Sequence, residues 1–468
     1  MFTPSFNTFF TIAFPIKSID RAEITHNCQL QGNCHSVASR GTDVITYLNN
    51  RILILGGGIS GLSVAWLLKQ RGIHSTVIEA QNQIGGLARS FNWHGIDCDI
   101  APHRLFTHNR EVLELILGLV PMHQHRRKSC IFIGGKKIKD PIDPIELCLK
   151  FRSKAPKLIS GFLFKPKLKE TSFANLALNR YGQGLYDLFF EPYTQKLLGV
   201  SAEEISAEWG RQKLRSSGFS QWFKRNSKTY FDSFYYPITG GYGALAKQMA
   251  DELVDNVRVN TRVTGLNFDE NRITSVTLHH NGEEDTIECD QLISTLPATT
   301  TATMLGENID FQYNPISLVY LNINRSQVMP YHWAYFADES IVINRMAEFK
   351  NFAQPSMATS NTVLCAEVTT QTDNPSENVI SALVSYDLIK REEIEDVLVL
   401  EETYGYPIYL KGFETQKAKA LNIFGQYQNL HTVGRNAEFL HIDVDEDLES
   451  AISCVENIIE DLGIRSVK

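Results

Sequence analysis

The first clear rhythm of apolar and polar positions begins at Arg51. "RILIL" is a near-continuous aliphatic run, the pattern of a strand buried on both faces of a parallel sheet. "ISGLSVAWLLKQRG" then carries apolar residues at helical spacing and closes on Gly72, a helix stop. "HSTVIEA" returns to a strand ending near Glu79. Further on, "VRVNTRVTGLNFD" reads as a short strand, and "CDQLISTLPATT" as a strand and turn at Pro297. "YYPITGGYGALAKQMADEL" reads as a glycine turn opening a helix. Near the end, "LHTVGRNAEFLHIDVDEDLESAI" predicts a strand, Gly434 and Arg435, then a helix from about Asp445. Residues 1–46 show no period and are expected to form a flexible leader. Their stretch "FNTFFTIAFPIKSIDRAE" is aromatic, but it holds Pro15 and lacks a basic start, which makes it a poor secretory signal. No apolar run approaches the roughly 20 residues of a spanning helix.

A chain of 468 residues exceeds one ordinary core, so two or three domains are expected. The composition, 43% hydrophobic and 21% charged, is that of a soluble globular protein. Its net charge of −8 argues against general nucleic-acid binding. The charge is uneven, however. From Met122 to Lys169 basic side chains crowd together with few acids between. One reading is a solvated helical face plus loops. The sharper one is a surface for anionic lipid or a phosphorylated substrate, because "KLISGFLFKPKLK" interleaves Lys with Leu, Ile and Phe. Eight scattered cysteines suit reduced thiols and a cytoplasmic setting, peripheral to a membrane on the sharper reading. His26, Cys28, Cys34 and His35 lack zinc-site spacing, so no metal site is expected.

The glycines after the first strand carry the chemistry. Gly56, Gly58 and Gly61 satisfy G-x-G-x-x-G. In such a turn the first glycine allows the sharp bend, the second lets the backbone approach a pyrophosphate, and the third packs helix on strand. The helix start at Ile59 and Ser60 then faces the phosphates with unpaired N–H groups. Glu79, followed by Ala80, stands where a carboxylate accepts hydrogen bonds from an adenosine ribose. A carboxylate there disfavours a 2′-phosphate and leaves NAD or FAD.

A second glycine pair follows in "GGLARS": Gly85, Gly86, Leu87, Ala88, Arg89 and Ser90. It permits another close approach beside the same pyrophosphate, with Arg89 toward the flavin end. With it, "VIEAQNQIGGLARS" resembles the opening of the flavin-containing amine oxidase superfamily, in its protoporphyrinogen-oxidase-like branch. That superfamily also includes phytoene desaturases and UDP-galactopyranose mutases. The resemblance implies FAD. It extends to "FNWHGIDCDIAPHRLFTHN", where Asp99, Pro102, His103 and Arg104 occupy an element that in relatives lies near the isoalloxazine, with Ala101 where glycine is usual. "FFEPYTQKLLGVSAEEISAEWGRQKL" resembles the start of the helical substrate domain, although helix packing is the preferred reading of Trp209. By the same resemblance Val263 contacts adenine, and Gly434, Arg435 and the helix start at Asp445 approach the flavin pyrimidine. There the helix dipole is expected to favour negative charge on reduced flavin.

The implied fold is α/β, a doubly wound, Rossmann-like FAD-binding domain with a discontinuous α+β substrate domain. The FAD domain takes residues 47–110, 230–300 and 420–468. The substrate domain takes 111–229, mostly helical, and 301–419, strand-rich. The expected activity is that of an FAD-dependent oxidoreductase moving hydride from a small organic substrate to flavin N5. The alternative is a mutase-like, non-redox enzyme acting on a nucleotide sugar, and a flavoprotein that only binds is the third class. His103, Arg104 and Arg345 are the catalytic candidates, and Tyr193, Tyr335 and Tyr406 the substrate candidates. On the mutase-like reading Arg345 pairs with a diphosphate, with Glu367 the acid on the next strand. On the plainer one, Arg345 and Glu367 are a salt bridge. The aromatic stretches "MPYHWAYFADES" and "YGYPIY" read either as pocket walls or as core strands. Nothing in the sequence sets the oligomeric state.

Overall fold

The structure is a computed structural model and describes residues 51–215, 233–352 and 359–464. The leader, and with it His26, Cys28, Cys34 and His35, lies outside the described residues. Strand β1 (Ile52–Leu55) is buried along its whole length, as its aliphatic run requires. Helix α1 (Ile59–Gln70) and strand β2 (Thr76–Ile78) complete the first βαβ turn. β1 pairs in parallel with β2 on one side and with Gln291–Ser294 on the other. Leu430–Thr432 and Val257–Arg258 close the two edges of this five-stranded parallel sheet. The helices Ala244–Leu253 and Val444–Asp461 pack on α1 and share its core.

The stretch expected as one strand at 257–269 is two. Asn260 takes a left-handed φ of 52° and breaks it. Val257–Arg258 stays in the parallel sheet, while Thr261–Asp269 enters a three-stranded antiparallel sheet with Arg272–His280 and Glu283–Glu288. A third sheet has seven strands, ordered Ile394–Ile408, Gln312–Ile323, Thr362–Val368, Ile343–Glu348, Trp333–Phe336, Ser129–Ile133 and Lys136–Lys139.

The last two of those strands correct the reading of the basic stretch as a helical face with loops. "SCIFI" at Ser129–Ile133 is buried at every position, so it extends the large sheet instead of lying on a surface helix. Helices follow only from Pro144–Lys150 and Ala155–Leu163 onward. Helix Glu191–Leu198 is fastened to this sheet by buried Lys196. Its Nζ donates to the carbonyls of Phe336, Asp338 and Ile341 at 2.5, 2.9 and 3.1 Å. Among the described residues no helix is long and apolar enough to cross a membrane.

Candidate functional site

The three glycines of the first turn have three different surroundings. Gly56 adopts φ +103°, and a Cβ there would fall 2.2 Å from Thr295 Oγ1. A Cβ on Gly61 would fall 2.1 Å from the Gly56 carbonyl oxygen. Both positions are closed by the protein itself. A Cβ on Gly58 would meet nothing nearer than Gly86 Cα at 3.9 Å. The absence of a side chain at Gly58 therefore leaves room for something other than protein. Gly58 is also the N-cap of α1, and no side chain caps that helix. The second glycine pair lies against the first, with Gly85 N–H donating to Gly57 O at 2.7 Å. Buried Glu79 accepts from the backbone N–H groups of Gly57 and Gln81, each at 2.7 Å. A carboxylate offers about four lone-pair sites, so acceptor capacity remains for a ribose.

These groups open onto a cavity of about 1900 Å³. A single small ligand fills roughly 300–1,000 Å³, so there is space for a dinucleotide and a substrate together. Gly56, Gly58, Ile59, Ser60, Glu79, Ala80, Gly85, Gly86, Leu87, Ala88, Arg89, Val263, Arg435 and Asp445 all line it. So do His103, Arg104, Arg345, Tyr193, Tyr335 and Tyr406. Gly61 and Gly434 do not line it, and the space at both is closed by protein. Gly434 has φ +99°, and a Cβ there would strike Ser60 Oγ at 2.3 Å. Arg89 donates to Gly86 O at 2.8 Å and is ion-paired with Glu402, so its charge is already matched.

A dinucleotide fits this wall. The open position at Gly58 and the uncapped helix start suit a pyrophosphate. Arg435 Nε and Asn436 Oδ1 are buried there without a hydrogen-bond partner among the described residues. Helix Val444–Asp461 also points its start at the cavity, but its first turn holds Asp445, Glu446 and Asp447. Burial pushes the Asp447 carboxyl up to about 7, against the bonds it accepts from Ser60 Oγ (2.9 Å) and Arg435 N–H (3.2 Å). Burial likewise pushes Asp445 up to about 6. These acids offset the positive helix end, so the expected stabilisation of negative charge there is weaker than the dipole alone suggests.

A second set of side chains comes from the large sheet. Tyr335, Arg345 and Glu367 are cross-strand neighbours on three adjacent strands. Arg345 Nε donates to Glu367 Oε1 at 2.5 Å, and Tyr406 OH donates to Glu367 Oε2 at 3.0 Å. Burial works against the Arg345 charge, but Glu367, Tyr406 and Tyr335 outweigh it and hold its pKa well above the usual value. The salt bridge is real and it stands on the cavity wall, so the two readings of Arg345 are compatible. Its two Nη groups make no hydrogen bond to described residues. Tyr193 meets Tyr335 edge-on at 6.1 Å. Arg104 lies over Trp333 at 5.1 Å and Phe106 at 5.6 Å. Burial above all, with Arg127 and Arg345 nearby, lowers the Arg104 pKa, while Tyr335 opposes that shift.

The preceding backbone explains how His103 is placed. Ala101 takes φ +61°, the conformation that makes glycine usual there. His103 Nδ1 donates to Ala101 O at 3.0 Å, which leaves Nε2 as an acceptor. Burial first, then the Arg345 charge, lowers the His103 pKa to about 4, so the ring is neutral. Asp99 is instead structural, buried under bonds from Ser90 (2.6 Å), Tyr236 (2.8 Å) and Tyr242 N–H (2.7 Å).

The aromatic stretches divide between core and cavity, though not by strand alternation, since Trp333 and Tyr335 share a face of one strand. Trp333, Phe336 and Tyr409 are buried in the core, whereas Tyr335, Tyr404 and Tyr406 face the cavity. Trp209 is buried edge-on against Phe173 at 4.9 Å, as the packing reading has it. Sequence reasoning missed Arg127 with its partner Asp140, and Asn436 and Asp447, all on the wall. Of these only Asp447 left a signal, an acid in a helix first turn, which also reads as ordinary capping.

A family model described as flavin containing amine oxidoreductase matches residues 59–316. Protoporphyrinogen oxidase 2, chloroplastic/mitochondrial, of Arabidopsis thaliana is 24% identical over 336 residues, 59% of this chain and 65% of its own. The chain thus spans just under two thirds of that relative's length. UDP-galactopyranose mutase of Mycoplasma pneumoniae is 19% identical over 428 residues, 87% of this chain and 96% of its own. A crystal structure of reduced UDP-galactopyranose mutase superposes with a TM-score of 0.74 at 18% identity, covering 90% of this chain and 95% of that one.

Proposed function

This chain belongs to the family of flavin-containing amine oxidoreductases, and from that premise we propose that it is an FAD-dependent enzyme acting on a nucleotide sugar. FAD is its cofactor. In this reading the uncapped start of α1 and the two glycine turns hold the pyrophosphate, Glu79 holds the adenosine ribose, and Val263 meets the adenine. When bound, FAD supplies a ring nitrogen capable of two-electron transfer or of nucleophilic chemistry.

The observation that carries the reading is the placement of Arg345 and Arg104 in a tyrosine-rich cavity. Glu367 fixes Arg345 through Nε alone, so the fork of Nη groups is pre-oriented for a diphosphate. The Arg104 charge has no carboxylate within salt-bridge distance among the described residues, which suits a second anionic oxygen. Tyr193 and Tyr335 bring hydroxyls to the same space, as a sugar requires. Neutral His103 offers Nε2 to accept one proton in a hydrogen bond.

A second reading is an FAD-dependent oxidoreductase that removes hydride from a flat or apolar substrate. It is favoured by the apolar part of the cavity wall, to which Phe173, Tyr181, Leu185 and Phe190 contribute. The test is the visible spectrum of the holoprotein during titration with a UDP-hexose. A saturable perturbation is expected, weakened about tenfold to hundredfold in Arg345→Lys, which keeps the charge and loses the fork. A spectrum indifferent to the nucleotide sugar refutes the first reading. Reduction of the same flavin by an amine, tetrapyrrole or polyene supports the second.

A further inference from the structure

The basic stretch carries an inference that stands apart from the cofactor cavity. Fourteen large apolar side chains are exposed among the described residues, and seven of them fall between Ile145 and Leu168. Helix Ala155–Leu163 shows why. Its inner side is locked backbone to backbone: a Cβ on Gly182 would lie 1.9 Å from Gly161 O, and one on Gly184 would lie 2.6 Å from Lys157 O. Leu158 is buried beneath it. The opposite row, Pro156, Ile159 and Leu163 at spacings of three and four, stays exposed, and Phe164 follows at 82% exposure. The exposure therefore belongs to a helix held firmly in place.

The same segment is strongly basic. Residues 150–169 contain seven Lys and Arg and no Asp or Glu, in a chain of net charge −8. Lys157 pairs with Asp187 of a neighbouring segment at 2.6 Å, and Lys150 with Glu146 one turn back in its own helix at 2.8 Å. Arg152, Lys154, Lys167 and Lys169 are exposed around the apolar row. We propose that this face docks peripherally on an anionic lipid bilayer, with Ile159, Leu163 and Phe164 entering the headgroup boundary and the flanking cations meeting lipid phosphates. A second copy of this chain is the poorer occupant, because a two-fold contact would set the same cations against each other. An apolar face ringed by cations is the charge complement of anionic lipid.

Flotation of the full-length, flavin-loaded protein with vesicles tests this. One set is phosphatidylcholine alone, and the other is phosphatidylcholine with phosphatidylglycerol in roughly equal parts. The protein is expected to float only with the mixed vesicles and to be released by added salt. Lys167→Glu/Lys169→Glu should weaken that partition at least about twenty-fivefold, at roughly fivefold for each lysine removed. Leu163→Ser/Phe164→Ser should abolish flotation while the flavin spectrum stays unchanged, since these side chains touch neither core nor cavity. The inference is overturned if the protein stays unbound with both vesicle sets. It is also overturned by equal binding to neutral vesicles, by variants that float like the parent, or by a concentration-dependent dimer lost in Leu163→Ser/Phe164→Ser.

Discussion

Replacing Gly58 with Val separates what the glycine turn does for the fold from what it does for the cofactor. Gly58 has φ −71° and ψ 177°, a backbone conformation open to any residue. The nearest heavy atom to an added Cβ is 3.9 Å away, so the substitution buries no clash within the protein. Its cost is confined to a poorer N-cap, about 1 kcal/mol or less, a shift of about 2–4 °C in the melting temperature of the flavin-free protein. The isopropyl group fills the gap in front of the helix start. Two charge-assisted hydrogen bonds lost to a pyrophosphate are together worth about 3–6 kcal/mol, or roughly two to four decades of affinity. Gly61→Val is the control, since its Cβ lies 2.1 Å from a backbone oxygen and must force the turn apart. Differential scanning fluorimetry and flavin absorbance, measured on both variants, give the two readouts. Gly58→Val should fold and come out colourless, and Gly61→Val should not fold. A yellow Gly58→Val with full flavin content would refute the cofactor placement, and a Gly58→Val as unstable as Gly61→Val would refute the packing argument.

The other predictions concern the rest of the wall and its supports. Lys196→Met removes an ammonium that satisfies three carbonyls, and should cost about 3–5 kcal/mol in urea unfolding; a loss under about 1 kcal/mol would show those bonds to be incidental. Glu367→Gln keeps the shape of the Arg345 contact but removes the carboxylate charge that pairs with it, and should raise the Kd for a UDP-hexose about tenfold by leaving Arg345 looser, with flavin content unchanged. Asp447 holds its proton up to about 7 when folded and to 3.8 when unfolded, so the folded chain binds more protons between those values. Its contribution to stability is therefore greatest in acid and is lost as pH rises through that window. In flavin-free protein, Asp447→Asn should flatten the decline, and an unchanged slope would place the titration elsewhere.

The local pattern at residues 51–79 was enough to foresee β1, α1, β2 and the position of Glu79 at the end of β2, because each depends on neighbours in sequence. The order of the sheet beyond β1 and β2 was not legible. Gln291–Ser294 pairs with β1 from more than 200 residues away, Leu430–Thr432 pairs with Gln291–Ser294 in turn, and an aliphatic run carries no label for its neighbour. The same holds for the site. Arg345 and Glu367 meet because they share a register position across two strands, a fact that depends on a β-bulge between Ile343 and Arg345. Ala101 departs from glycine in sequence yet keeps the left-handed backbone, a geometry that residue type alone does not reveal. The Met122–Lys139 strands were hidden by their charge. Exposed Lys136, Lys137 and Lys139 look solvated whether or not "SCIFI" beside them is a strand.

The parallel sheet is assembled from segments that begin at Ile52 and end at Thr432, and the last stretch of chain supplies Arg435, Asp445 and Asp447 to the cavity. A ribosome delivers those residues long after the glycine turns. Until they emerge, the glycine turns face an open sheet edge with one side of their ligand site missing. Flavin capture thus waits on stretches far apart in the sequence, and once made it clasps the glycine turns at 56–61 to the stretch at 435–447. Because the bound form alone gains that free energy, flavin supply becomes a measure of how many finished chains survive. In a flavin-starved cell the earliest casualty should be the docking of helix Val444–Asp461, visible as faster hydrogen exchange there than in β1.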